Sequence, residues 1–326
     1  MHTYLQKQSV VPAALDTPQM VSILGKAFGL RDVTIVTNPA LRDGFVAVSR
    51  DTPYLMRLDP SGEAHRRRVA FERSFAAQCS RSLGWPACLR TNLDEWSSAV
   101  VVEGRDLLLS GEQYLHQSHR VKSVDDFKAL AEHMARFSKF KPQIEYDDEA
   151  APRLDTHFLR SVACPKIIAV SAYPGWVEPT IASLLDHVDT ECSTLQWEIN
   201  HGDAHEDNAL VASAGEAFFV DTEFACLAPA GYDIATLIWD IYMRRGKDDA
   251  LFFCRLMRDA GFQSPEVASK LTALMIMRKV WWLGLRASRS RDGTIPSRTF
   301  IEEQLEAALA IRMDQQRFAS ELSGKH

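Results

Sequence analysis

Hydrophobic and polar positions divide the chain into an alternating first part and a longer helical remainder. Val33 to Val36, Phe45 to Val48 and Pro53 to Leu58 are short β-rich runs. Ser49-Arg50-Asp51-Thr52, between the second and third, reads as a hairpin turn. A helix is predicted from about Glu63 to Leu83, with Val69, Phe75, Ala76, Cys79 and Leu83 near one face. Gly84-Trp85-Pro86 stops it. Ala99 to Val102 is an apolar run that reads as another strand. Glu103-Gly104-Arg105 breaks it and is the expected linker between a first part, 1–103, holding a small sheet with one helix, and a second part, 104–326.

The second part is mostly helical. Ser123 to Phe140 carries Phe127, Leu130, Ala131, Met134 and Phe137 at the spacing of a buried stripe. Ser123 with Asp126 resembles a capping box, with Asp in place of Glu. Residues 142–153 are acidic, punctuated by proline, and read as a loop. Leu195 to Ile199 alternates like a strand, and Ala209 to Val211 with Phe218 to Val220 form a predicted hairpin turning at Ala212 to Gly215. From Tyr232 onward the pattern is helical, broken between Ser288 and Arg298.

Composition narrows the class. The 326 residues are 46% hydrophobic and 25% charged, ordinary for a globular protein and enough to fold without disulfides or metals. A net charge of −6 argues against a general nucleic-acid binder, and the basic run His65-Arg66-Arg67-Arg68 reads as a solvated helix face. The six cysteines form no C-x-x-C pair, as expected of reduced thiols in a cytosolic protein. No secretory leader or membrane span is read, so the expected location is the cytoplasm.

The informative segment is His201-Gly202-Asp203-Ala204-His205-Glu206-Asp207-Asn208, followed by Asp221-Thr222-Glu223. It suits phosphoryl transfer, where a carboxylate orients the attacking hydroxyl and hard oxygen ligands hold Mg²⁺ against a triphosphate. Asp203 and Asn208 are five residues apart, the Asp-to-Asn spacing of the protein-kinase catalytic loop. Asp221 lies thirteen residues further on, where a hairpin that doubles back can bring it beside Asn208. Asp203 is thus the candidate base, and Asn208 and Asp221 the candidate metal ligands.

His-Gly-Asp-x-His-x-x-Asn, a hairpin and then Asp-x-Glu resemble the signature of aminoglycoside phosphotransferases, choline kinases and related small-molecule kinases. Gly231-Tyr232-Asp233-Ile234-Ala235 resembles the same family's Tyr-Asp-Leu-Ala element, whose aspartate braces the catalytic loop. The resemblance spans roughly residues 33 to 240, and 197 to 240 carry its strong motifs. It implies an α+β, protein-kinase-like bilobal fold with a small antiparallel-sheet N-lobe and a larger helical C-lobe. ATP or GTP would lie between them, with Mg²⁺, and a small-molecule hydroxyl would accept the γ-phosphoryl. Arg57 stands where the family strand carries a phosphate-binding cation. Glu72, fifteen residues on, would pair with it as the helix-C glutamate does, Glu63 being a rival. Gly44 in the phosphate-covering loop and Val102 complete the expected nucleotide contacts.

Several roles stay open. His205 is either a phosphate contact or a loop support, and Glu223 a metal-side carboxylate or a simple acceptor. His201 reads as structural, and Trp281 and Trp282 as core. Asp240, seven residues or about two turns after Asp233, is the chosen acceptor contact. Asp248, Asp249 and the acids of 145–149 are further candidates, set against Arg278, Lys279, Arg286, Arg289 and Arg291. The rivals are a transition-metal hydrolase built on His201, Asp203 and His205, which alternate as on a strand face, and a kinase-like binding protein without catalysis.

Overall fold

The computed structural model describes residues 17–36, 44–115, 118–144, 151–289 and 299–324. Helix α1 (Thr17–Phe28) leads into strands β1 (Val33–Val36), β2 (Gly44–Ser49) and β3 (Thr52–Pro60). Helix α2 (Glu63–Leu83) and strands β4 (Ser98–Val102) and β5 (Arg105–Gln113) follow. The five strands form one antiparallel sheet in the order β1-β2-β3-β5-β4. α2 occupies its predicted span and ends on Gly84 in the left-handed conformation.

Two expectations are corrected here. The N-lobe has two helices among its described residues, because α1 lays Met20, Leu24 and Phe28 on the sheet core formed by Phe45, Met56, Leu58 and Leu109. The expected linker at Glu103-Gly104 is a two-residue hairpin turn. Both residues take positive φ, 50° and 73°, which matches the twist of the flanking strands and keeps β5 in the same sheet. The first sheet therefore runs on to Gln113.

The C-lobe begins with β6 (Ser118–Arg120) and α3 (Val124–Phe137). Ser123 and Asp126 make the expected capping box. Then come α4 (Thr156–Phe158), a π-helical turn (Leu159–Ala163), α5 (Cys164–Val170) and α6 (Pro174–Cys192). Short strands β7 (Trp197–Asn200), β8 (Ala209–Ala212), β9 (Ala217–Phe219) and β10 (Cys226–Pro229) carry the site. β8 and β9 form the predicted hairpin with β6 beside it, and β7 pairs with β10. Helices α7 (Tyr232–Arg245), α8 (Lys247–Asp259), α9 (Pro265–Arg289), α10 (Phe300–Met313) and α11 (Gln315–Ser323) complete the lobe. α9 is the central helix, packed against α6, α7, α10 and α11. It comes so close to the π-helical turn that a Cβ on Gly284 would lie 2.5 Å from the Ala163 methyl.

One aromatic group ties the lobes together. Trp85, just past α2, stands edge-on to Phe75 and His201, at centroid distances of 5.8 and 5.6 Å, and also packs on Phe137 and Phe219. Its indole N–H donates to His133 Nε2 at 2.9 Å, and burial lowers the His133 pKa to about 3, so this ring is a neutral acceptor.

Candidate functional site

The loop from His201 to Asn208 leaves β7 and is shaped mainly by α7. Asp233, in the first turn of α7, accepts the His201 and Gly202 amides on its two carboxylate oxygens at 2.6 and 2.9 Å. This is the bracing role expected of it, and burial pushes its pKa up to about 7 even so. Gly202 has φ +80°, and a Cβ there would fall 2.0 Å from the Phe224 carbonyl, so only glycine fits.

Two turns along α7, Asp240 accepts the Glu206 amide at 3.0 Å and pairs with Arg244 Nε at 2.9 Å. The spacing argument placed Asp240 beside the loop correctly. Its assignment as an acceptor contact is corrected, because the side chain is buried and both oxygens are committed to the protein. Arg245 with Glu206, and Arg120 and Arg244 with Asp207, pin the rest of the loop. Asp248 and Asp249 are exposed in the first turn of α8. The acids of 145–149 and Arg291 lie outside the described residues, as does the Arg289 side chain.

Each histidine of the loop has both ring nitrogens engaged. His201 Nε2–H donates to the Val220 carbonyl at 2.9 Å, and its Nδ1 accepts the Asp203 amide at 3.3 Å. Burial lowers its pKa to about 4, so the ring is a neutral structural element. His205 Nδ1 accepts the Asp207 amide at 3.2 Å, and Nε2 lies 3.3 Å from Asp203 Oδ2. Burial opposes a charge on His205, but the hydrogen bond to Asp203 outweighs it and raises the pKa. These contacts tie His205 to the loop it belongs to.

Asp203 is where these contacts converge. Oδ1 accepts from Arg278 Nη2 of α9 at 2.5 Å, and Oδ2 faces His205 and the Asn208 side-chain amide, the latter at 3.3 Å. Burial works to raise its pKa, yet the Arg278 guanidinium and His205 hold the carboxyl well below the usual range. Asn208 Nδ2 also donates to the Asp203 carbonyl at 3.0 Å, which leaves its side-chain oxygen available for another partner.

The hairpin doubles back as expected. Ala209 is paired with Phe219, and the Val220 amide donates to the Asn208 carbonyl at 2.9 Å, so Asp221 follows directly beside Asn208. Asp221 has φ +65° and opens the turn Thr222–Phe224, against which α2 packs. Solvent reaches Asp221 between the lobes, but the surrounding protein and then the Glu223 carboxylate push its pKa up to about 7.

The N-lobe contributes a four-membered charge network. Arg57 on β3 donates to Glu72 at 2.6 Å and to Asp59 at 2.8 Å. Arg68 reaches the other oxygens of Asp59 and Glu72 at 3.2 and 3.0 Å. Burial disfavours the Arg57 charge, but Asp59, Glu72 and Glu223 outweigh it and raise its pKa well above the usual value. Arg57 and Glu223 are therefore within electrostatic reach of each other. Glu63 is exposed and pairs with Arg67, so it is not the partner of Arg57. Arg68 corrects the reading of its basic run as a solvated face, since it is only 6% exposed. Gly44 lies opposite Arg57 in the ladder, and a Cβ there would meet the Met56 carbonyl at 2.5 Å.

Val102 is a correction. It sits on edge strand β4, separated from β3 by β5, with its side chain in the apolar sheet core. Asp59, Arg68 and Arg278 are site residues that sequence reasoning did not assign. Arg68 carried a usable signal, since it precedes Glu72 by one helical turn on the same face.

A two-lobed fold with an antiparallel sheet on one side and a helical domain on the other, and an acid-rich loop between them, defines a protein-kinase-like architecture. Residues 40–263 match the phosphotransferase enzyme family, and the chain belongs to it. No curated protein matches the sequence. Among solved structures, the chain is similar to a microcompartment-associated aminopropanol kinase at a TM-score of 0.65 and 12% identity, covering 94% of this chain and 99% of that one. It is also similar to the amicoumacin kinase hAmiN, solved with AMP-PNP, Ca²⁺ and Ami, at 0.62 and 13%, covering 100% and 96%. Choline kinase LicA from Streptococcus pneumoniae gives 0.56 and 13%, covering 91% and 97%. Among the described residues no helix is long and apolar enough to cross a membrane.

Proposed function

We propose that this chain is a Mg²⁺-dependent small-molecule kinase that moves the γ-phosphoryl of ATP or GTP to a hydroxyl of an antibiotic or metabolite. The observation that carries the reading is the convergence of Asp203, Asn208 and Asp221 at one point of the cleft, facing Arg57 held by Glu72. Asp203 orients the acceptor hydroxyl and accepts its proton. Its low basicity makes orientation the larger part of that role, with the proton leaving as the new bond to phosphorus forms.

Hard oxygens suit magnesium. The surrounding protein and then the neighbouring Glu223 carboxylate raise the Asp221 pKa, and a divalent cation would relieve that charge. Asn208 and Asp221 would hold the ion, with Glu223 at its edge, and the ion would supply charge neutralisation for the triphosphate. Arg57 is the phosphate-side cation, and Gly44 lets the chain approach next to it. The nucleotide would enter between Arg57 and the Asp221 turn, and the acceptor would approach from the C-lobe side of Asp203.

The hydrolase alternative needs His201 as a metal ligand, and its two ring nitrogens are already engaged inside the protein. The silent binding protein is distinguished by turnover. The test is nucleotide consumption with Mg·ATP and Mg·GTP over a library of hydroxyl compounds, beginning with amino alcohols, choline-like alcohols and amine-bearing antibiotics. Acceptor-dependent release of ADP or GDP that requires magnesium is the expected result. Nucleotide binding with no acceptor-dependent consumption would select the silent protein, and zinc dependence the hydrolase.

A further inference from the structure

Arg278 lies in the middle of α9, 75 residues beyond Asp203, and its residue is 2% exposed. Its guanidinium is stacked over Trp281, 4.4 Å from the ring centroid, with Trp239 at 5.6 Å. Trp281 is itself locked edge-on against Phe224, at 5.2 Å, in the turn that carries Asp221 and Glu223. A planar fork held this way has one orientation, and that orientation delivers Nη2 to Asp203 Oδ1 at 2.5 Å and Nη1 towards the Gly202 carbonyl at 3.4 Å.

The two oxygens of Asp203 are therefore unequal. Oδ1 has a short, charge-assisted bond to a buried group that cannot swing away. Oδ2 has two long contacts, 3.3 Å to His205 and 3.3 Å to Asn208, both weak enough to yield to a stronger donor. Turning the carboxylate would break the Arg278 bond, so one oxygen is kept on Arg278 and the other, Oδ2 here, is presented outward. The same arrangement fixes Asn208, whose Nδ2 sits on Asp203 and whose oxygen must then point elsewhere. Asp233 and Asp240 hold the loop backbone through three amides, so the 3.4 Å contact from Arg278 to the Gly202 carbonyl is the lesser support.

We propose that Arg278 is the positioning residue of the reaction: by clamping Asp203 Oδ1 from α9, it dedicates Oδ2 to the attacking hydroxyl. This rests on the role of Asp203 proposed above. It adds that a buried cation of the C-terminal helices, rather than any group of the loop, decides how that carboxylate is presented.

The test uses Mg·ATP with water as acceptor, measuring ADP release by the full-length protein at high concentration, with a fluorescent ATP analogue to report nucleotide affinity. Arg278→Met is expected to lower kcat by on the order of tenfold to a hundredfold while the Kd for nucleotide stays within about twofold. Arg278→Lys keeps the charge without the fork and should recover part of that loss. The double variant Asp203→Asn with Arg278→Met should be no slower than Asp203→Asn alone, since both changes act on one carboxylate. A merely structural arginine predicts instead additive losses, and no advantage of Lys over Met. Either of those outcomes, or unchanged kcat in both Arg278 variants, overturns the proposal. If Asp203→Asn itself turns over normally, the reading of Asp203 fails, which is a separate result from Arg278 being dispensable while Asp203 is not. Should Arg278→Met fail to fold, the Lys variant and its double with Asp203→Asn carry the same cycle.

Discussion

The two halves of the cleft are built on opposite electrostatic plans. On the N-lobe side, Arg57 and Arg68 meet Asp59 and Glu72 in a closed square of two cations and two anions, formed between a strand and a helix. On the C-lobe side, Asp203 has its own cation, while the surrounding protein and then the neighbouring Glu223 carboxylate push the Asp221 pKa up to about 7. The first half is internally balanced and holds a cation in a fixed place. The second is poised to receive positive charge. A nucleotide carrying a divalent ion complements both at once, anionic phosphates towards Arg57 and the ion towards the carboxylates.

The sharpest test of this contrast is on the loop side. Asp203→Asn removes the proton acceptor and leaves the surrounding volume intact. Turnover is expected to fall about 10²–10⁴-fold with nucleotide affinity retained, measured by ADP release and by titration calorimetry. Near-normal turnover would remove Asp203 from its role. The N-lobe half should respond in stability first. Asp59→Leu strips one carboxylate from the buried Arg68 and the partly buried Arg57, and a broken buried pair costs about 3–5 kcal/mol. Urea unfolding should show that loss. A change below about 1 kcal/mol would mean that the square is not a coupled unit.

A smaller effect is expected at Asp221. Asp221→Ala takes away a ligand from the ion, so nucleotide affinity in magnesium should drop by about 10- to 100-fold, the range seen when support to a metal site is lost. Affinity in chelator should not drop, since without the ion the removed carboxylate only repels phosphate. Equal losses with and without magnesium would show that Asp221 shapes the turn rather than the ion.

The same contrast explains what could be read in advance. Asp203, Asn208 and Asp221 were legible because their geometry is local: a five-residue loop spacing and a hairpin register fix their proximity whatever the rest of the chain does. The Arg57–Glu72 pair was legible through resemblance, and Asp59, two residues from Arg57, was not, because nothing in a strand pattern says which neighbour an arginine will choose. Arg278 left no local trace at all, since its partner is far away in sequence and only the packing of α9 brings them together. Asp240 shows the limit most clearly. Helical period put it beside the loop, but period cannot tell whether the nearest donor is a ligand or the Glu206 amide. In the fold, α1 was missed although Pro18 in its first turn and Gly29 just beyond its end are recognised boundary signals. Glu103-Gly104 reads as a linker because two residues that favour a break also make a tight hairpin turn.

The last effect is read through pH, at Lys279, one residue beyond Arg278 and buried beside Trp239. Its ammonium donates to Gln304 Oε1 at 2.5 Å, lies 3.4 Å from Met243 Sδ, and sits 5.5 and 5.8 Å from the Trp239 and Trp282 ring centroids. Burial lowers its pKa to about 7, against about 10.4 in an unfolded chain. Between those values the unfolded state binds more protons than the folded state, so stability attributable to this group rises with pH, by at most about 1.4 kcal/mol per pH unit. Below pH 7 both states are protonated, and the full cost of the buried charge is present. Lys279→Met abolishes the titration and fills a similar volume with an apolar chain. Urea midpoints of wild type and variant should therefore diverge with pH, the wild type gaining on the variant from about pH 7 to 9.5. Parallel stability curves across that window would place the Lys279 pKa near its ordinary value and leave the tryptophans around it as packing alone.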